Sequence, residues 1–148
     1  MVNLIFWSFS IEPTLSLCSS SNGRGWCLPI VGLTSSYHLI SQNQNMTGLA
    51  RIMGPHIPIT SWTHILTSYT SASGISLWVN GSFIGSTGPF TYLSSETVNT
   101  ITLGNSLLGT TTCAHGNIAI GQFYGMLDEV RIYSRQLNLS EILALANP

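Results

Sequence analysis

An all-β sandwich with one short C-terminal helix is the fold this sequence predicts. Three observations predict it. Short runs of alternating apolar and polar residues recur along the chain, with Gly, Pro, Asn and Ser turn signals about every 8–12 residues. Asn80-Gly81, between two such runs, is a strong two-residue hairpin signal. An apolar, β-prone run over residues 123–133 leads into a short helical pattern over 138–146.

A chain of 148 residues fits one domain and can bury a real core. The apolar share, 44%, is ordinary, but the charged share, 6%, is far below the usual quarter. There is no Lys, and Asp128 is the only Asp. A net charge of -1 excludes the clustered cations that nucleic acid or a polybasic membrane patch requires. Ser and Thr, about a quarter of the chain, replace charge as the polar surface, which suits an extracellular β-protein. Low charge with aromatic content also opposes disorder. No run is long enough for a membrane helix. Residues 4–11 could pass for the apolar segment of a secretion signal. No Lys or Arg precedes them and no clean small-residue cleavage site follows, so a buried strand is expected there.

In order, Ile5, Trp7, Phe9 and Ile11 alternate with Ser8 and Ser10 and predict a half-buried strand ending at Glu12-Pro13. Residues 14–19 read as the next strand, and 20–25 as a turn centred on Asn22-Gly23. Residues 26–33 return as a strand, which Pro29 demotes towards an edge or a bulge. Residues 37–42 and 48–53 form a further pair, and 54–60, with two prolines, a loop. A meander follows: strand 62–70, turn 71–74, strand 75–79, the Asn80-Gly81 turn and strand 82–85. Residues 98–103 alternate as a strand, and 104–121 are a Gly- and Thr-rich loop. Both phases of 123–133 carry apolar residues, which predicts a central strand covered on much of both faces, with a bulge near Gly125. Asn138 followed by Glu141 has capping-box spacing, and Ile142, Leu145 and Ala146 share one helix face. So short a helix must dock on the sandwich.

The candidate sites are few. Cys18, Cys27 and Cys113 include no Cys-x-x-Cys; Cys18–Cys27, Cys27–Cys113 and three reduced buried thiols all stay open. His38, His56, His64 and His115 show no metal-ligand spacing. Trp78 lies in the opposite phase to Ile75, Leu77 and Val79. If those face the core, its indole faces outward and could stack on a sugar or a partner, with Tyr69 on the neighbouring strand. The plainer alternative is that Trp78 only covers the sheet or packs under a loop. Asn45, Asn80 and Asn138 each begin an Asn-x-Ser/Thr triplet near a turn or cap and are glycosylation candidates, Asn80 being hindered by its tight hairpin. No Gly-x-Ser-x-Gly elbow is present.

The C-terminal stretch Phe123-Tyr124-Gly125-Met126-Leu127-Asp128-Glu129-Val130-Arg131-Ile132-Tyr133, followed by Leu137-Asn138-Leu139-Ser140-Glu141-Ile142, resembles the end of laminin-G-like, concanavalin-A-like jelly rolls, where such a strand runs into a Leu-Ser-x-x-Glu-Ile turn of helix. Trp62-Thr63-His64 before the Asn80-Gly81 hairpin is similar to the same family, as is the opening strand that ends in Pro13. The resemblance implies a two-sheet antiparallel jelly roll over residues 1–148. It implies a single domain that lacks the family's usual earlier edge strand, as a truncated product or excised domain would. Related jelly rolls with a Trp-Cys-Leu-Pro strand, here at 26–29, pair its Cys with one in a Thr-rich loop; this implies Cys27–Cys113, with Cys18 left as a buried thiol. His64 is implied to satisfy a backbone group. Laminin-G-like modules often hold calcium, which points to Asp128 and Glu129 as a minor alternative. Adjacent strand residues face opposite ways and calcium takes six to eight oxygens, so no cofactor or metal is expected. The Glu-x-Asp-x-x-Glu strand of the family's glucanases is absent, and with it the paired carboxylates of glycoside hydrolysis, so the chain is not expected to be an enzyme.

The family's habit implies an extracellular or cell-surface module within a longer secreted protein, binding a glycan or an extracellular protein. Four Arg and no Lys cannot build a dense cationic clamp, so the expected ligand is a neutral glycan, bound in lectin-like fashion without catalysis. The alternative is a structural or adhesive module with a protein partner or no ligand.

Overall fold

The computed structural model describes residues 3–9, 15–18, 26–58, 60–92, 100–104, 112–113, 115–119 and 125–147. The expected turn at 20–25, the strand end at Glu12-Pro13 and the start of the 123–133 run lie outside them. The described residues form eleven strands and one helix: β1 (Asn3–Phe9), β2 (Leu15–Cys18), β3 (Trp26–Leu33), β4 (His38–Asn45), β5 (Gly48–His56), β6 (Thr63–Thr70), β7 (Gly74–Val79), β8 (Ser82–Ser86), β9 (Thr100–Leu103), β10 (Thr112–Cys113), β11 (Met126–Tyr133) and α1 (Leu139–Ala146). They build two sheets. One runs β11-β1-β6-β7-β8; the other runs β5-β4-β3-β2-β9, with β10 added beside β3. All pairings are antiparallel except that of β10 with β3. The all-β, two-sheet architecture and the single C-terminal helix therefore stand as the sequence predicts.

The β6–β7 hairpin is the centre of its sheet. Where β7 turns into β8, Asn80 (φ 50°) and Gly81 (φ 75°) both take the left-handed conformation that a two-residue turn of matching twist demands. The Asn80 N–H donates to the His64 carbonyl (2.8 Å), and the His64 N–H donates to Asn80 Oδ1 (2.9 Å). That double clasp fixes the register Ile65↔Val79, Leu66↔Trp78 and Thr67↔Leu77. Alternation then sends Ile65, Leu77 and Val79 into the space between the sheets, where they pack with Val31, Leu33, Leu39 and Ile57. Ser41 and Thr67 share a buried 2.7 Å hydrogen bond across that space, so two hydroxyls satisfy each other inside the core.

Leu66 and Trp78 face the other way, into a second cluster with Leu137 and Ile142. These last two come from α1 and the residues leading into it. The capping box is complete: Asn138 Oδ1 accepts from the Glu141 N–H (3.0 Å), and Glu141 Oε2 accepts from the Asn138 N–H (2.8 Å). The last turn lies on the Asn80-Gly81 turn between β7 and β8, where a Cβ on Gly81 would sit 3.2 Å from both Ala146 and Leu143.

Three expectations need correction. Among the described strands β11 is an edge, beside β1 alone, not a central strand. Ile132 is 48% exposed and Met126 also stands open. Apolar residues in both phases mimicked double-sided burial, but Asp128, Glu129 and Arg131 are edge chemistry: charge blunts an exposed strand. Among the described residues the bulge falls at Glu129 rather than near Gly125. The register slips between Ile5↔Arg131 and Trp7↔Asp128, and Glu129 takes φ 53°. Finally, residues 54–56 continue β5 rather than entering a loop. Pro55 is tolerated because β5 is an edge and its register with β4 slips there. Pro29 likewise sits at a slip between β2 and β3, so the bulge expectation holds although β3 is an interior strand.

His64 is fully buried, and burial lowers its pKa from 6.5 to about 4. The unfolded chain takes up this proton below pH 6.5, whereas the folded chain resists it down to about 4. Stability should therefore be complete above pH 6.5 and fall through that window, by up to roughly 3 kcal/mol for one such proton. Urea unfolding at stepped pH checks this. A His64→Gln variant should show a flatter dependence between pH 6.5 and 4; an unchanged slope would remove His64 as the cause.

Candidate functional site

The second cluster leaves a surface pocket of about 380 Å³ at the N-terminus of α1. Trp78, Leu137, Leu139 and Ile142 supply apolar walls, and Gln136 and Asn138 supply amides. Phe83 stands beside it, its ring centroid 5.2 Å from that of Trp78 and tilted by 55°. The β7–β8 hairpin dictates this pair: a two-residue turn sets Val79 against Ser82 and Trp78 against Phe83. Arg135 pairs with both carboxylate oxygens of Glu141 (2.9 and 2.6 Å), and Arg135 Nη1 also donates to the Gln136 carbonyl (3.3 Å). The Arg135 bonds, and then the Asn138 N–H, hold the Glu141 carboxyl down at about 2. The two charges beside the pocket thus offset each other, and the lining is apolar and amide.

The indole does face away from the inter-sheet core, as its phase requires. It is not an open platform, however. Trp78 is only 9% exposed because α1 and Phe83 cover it. Phe83, at 58%, is the exposed aromatic. Tyr69 does not join it. Paired with Ile75, it projects to the opposite face of the sheet. There its hydroxyl donates to the Phe90 carbonyl (2.7 Å) and accepts from the Tyr92 N–H (2.8 Å). Tyr69 thus pins residues 90–92 to the sheet end. Sequence reasoning missed Gln136 and Asn138 as lining and Phe83 as the aromatic beside the pocket. Phe83 had a signal, since Asn-Gly spacing alone puts it opposite Trp78; the amides had none, because only helix docking brings them there.

Asp128 and Glu129 are each engaged locally. Asp128 Oδ1 accepts from the Glu129 N–H (2.8 Å) at the bulge, and Glu129 pairs with Arg131. Among the described residues no three His, Cys, Asp or Glu gather in a metal-holding group. The backbone sets Cys27 opposite Cys18 on one side and opposite Cys113 on the other. Asn45 lies at the β4–β5 turn, where its Oδ1 accepts from both the N–H and the hydroxyl of Thr47 (2.9 Å each), and Met46 beside it is exposed. Asn80 Oδ1 is taken by the His64 clasp and Asn138 Oδ1 by the helix cap.

Comparison with known proteins gives the class. The chain belongs to the concanavalin A-like lectin/glucanases superfamily, whose laminin-G-type model matches residues 12–143. A search of curated proteins finds no significant match. Several solved structures share the fold. Domain 4 of AbnA, a GH43 extracellular arabinanase from Geobacillus stearothermophilus seen in complex with arabinotriose, is 19% identical at a TM-score of 0.59. That match covers 99% of this chain and 66% of the arabinanase domain. The binding domain of Paraclostridial Mosquitocidal Protein 1 is 22% identical at a TM-score of 0.63, covering 99% of this chain and 36% of that one. The binding domain of botulinum neurotoxin DC, in complex with rat synaptotagmin II, is 13% identical at 0.56, covering 99% and 35%. The chain therefore spans about a third of the toxin domains and 66% of the arabinanase domain. No helix among the described residues is long and apolar enough to cross a membrane.

Proposed function

We propose that this domain is a non-catalytic, extracellular binding module whose ligand is a neutral glycan seated between Phe83 and the Trp78 pocket. The observation that carries the reading is the pocket's chemistry. A sugar offers a C–H face to an aromatic ring and hydroxyls to amides. Here Phe83 and the accessible edge of Trp78 supply the first, and Gln136 and Asn138 the second. The Arg135–Glu141 pair leaves no net charge for a sulfated or sialylated chain. The arabinanase domain in complex with arabinotriose supports a neutral sugar on this fold. Exposed Leu139 and Leu143 around the same pocket favour the second reading, an adhesive module with a protein partner, as the synaptotagmin complex illustrates for the toxin domain.

A glycan array decides between them. Binding to neutral glycans should be lost in Phe83→Ala and weakened roughly tenfold in Gln136→Ala, about one lost hydrogen bond. Both variants should melt as the parent does. Binding confined to heparin-like chains would refute the proposal, and silence across the array would transfer it to the protein-binding reading.

The secreted setting brings two covalent proposals. Neighbouring strands lie about 5 Å apart, within reach of a disulfide, so Cys27 can bridge to either side. We assign the bridge to Cys27–Cys113, because it ties the β10 segment to the sheet, whereas β2 is already held by strands on both sides. Among the three triplets, Asn45 is the acceptor we assign, since its turn is exposed and its amide caps only its own loop. One non-reducing peptide map of protein secreted by eukaryotic cells reads both. It should show Cys27 joined to Cys113 and a glycan on Asn45. A Cys18–Cys27 peptide would overturn the first assignment, and an occupied Asn80 with bare Asn45 the second.

A further inference from the structure

His38 and His56 lie far apart in sequence, yet the β4–β5 ladder sets them directly opposite each other. Their ring centroids are 5.8 Å apart and their planes nearly perpendicular, at 88°. His56 is exposed and His38 half-buried, so solvent reaches the pair. Two imidazoles on one tetrahedral ion, each nitrogen about 2.0–2.1 Å from it, place their centroids roughly 5 Å apart. A wider angle at the metal lengthens this to about 6 Å, so the observed spacing already lies in the range for sharing an ion.

The surrounding backbone holds the pair in place. Thr34 Oγ1 accepts from the N–H groups of Ser36 (3.2 Å) and His38 (3.1 Å) and shares a hydrogen bond with the Ser36 hydroxyl (3.0 Å). That hydroxyl in turn lies 3.2 Å from His38 Nδ1. A polar partner on one ring nitrogen orients the imidazole and leaves the other, Nε2, for a metal. Tyr37, at φ 62°, brings its ring edge-on to His56 at 6.0 Å, and its carbonyl accepts from the Ile57 N–H (2.9 Å), which fixes the backbone just beyond His56.

We propose that His38 and His56 form a binding site for a divalent transition-metal ion of the imidazole-preferring class, zinc, nickel or copper, with water in the remaining positions. Calcium and magnesium, which take oxygen ligands, are excluded from it. The site lies on the sheet opposite the Trp78 pocket's and does not depend on the glycan reading.

Calorimetric titration of tag-free protein with the chloride salts of zinc, nickel and copper, one at a time, tests it. One equivalent should bind, with copper the tightest of the three. His56→Ala, at an exposed position, and His38→Ala should each abolish binding. Ser36→Ala should weaken it about tenfold, as loss of an orienting partner does. His115→Ala should bind as the parent does. Circular dichroism reports whether each variant is folded, and the exposed His56 variant suffices if His38→Ala is not. No binding to the parent, or binding that survives His56→Ala, would overturn the proposal.

Discussion

The β6–β7 hairpin carries side chains that must leave water on both of its faces, and the rest of the structure follows from that constraint. Every residue of β7 and the first six of β6 are buried. A two-layer sandwich normally leaves each outer face to solvent. Here one face of the hairpin meets the opposite sheet, and the other presents Leu66 and Trp78, which need a second cover. The chain supplies it with eight residues of helix, too few to be stable alone and held by their capping box and by contact with the hairpin. Gly81 serves this arrangement twice, since it makes the turn from β7 into β8 and lets the helix approach.

The same constraint shapes the surface chemistry. With so few charges in the chain, their placement is informative. Asp128, Glu129 and Arg131 sit together on the β11 edge, where they discourage further strand pairing. Arg135 and Glu141 sit at the helix start, where a carboxylate also complements the helix dipole. What remains around the helix entrance is aromatic, aliphatic and amide. The pocket lies where the residues entering α1 and its first turn pack against Trp78.

Much of this was legible in the sequence for local reasons. Asn80-Gly81 specifies its own turn, and through it the registers of three strands. Asn138 and Glu141 specify the helix start. The cysteine spacing gave no preference between Cys18 and Cys113, and the backbone, with Cys27 flanked by both, shows why. What was not legible depends on neighbours. Trp78 has the phase of an outward residue, but whether outward means solvent is decided by a helix that arrives from the far end of the chain. The terminal run has the apolar content of a central strand, yet its outer neighbour is not a property of its own residues. His38 and His56 meet because the β4–β5 register slips at Gly54 and Pro55, a slip that alternation alone does not reveal.

Native-state amide hydrogen exchange tests the central claim, that the doubly covered hairpin is the last element to open. Amides of β6 and β7 should exchange only through global unfolding, with protection matching the unfolding free energy, while β8 and β11 at the sheet edges exchange through smaller openings. If the β6–β7 amides exchange as readily as those of β8 and β11, the hairpin is not what the rest of the fold is built to cover.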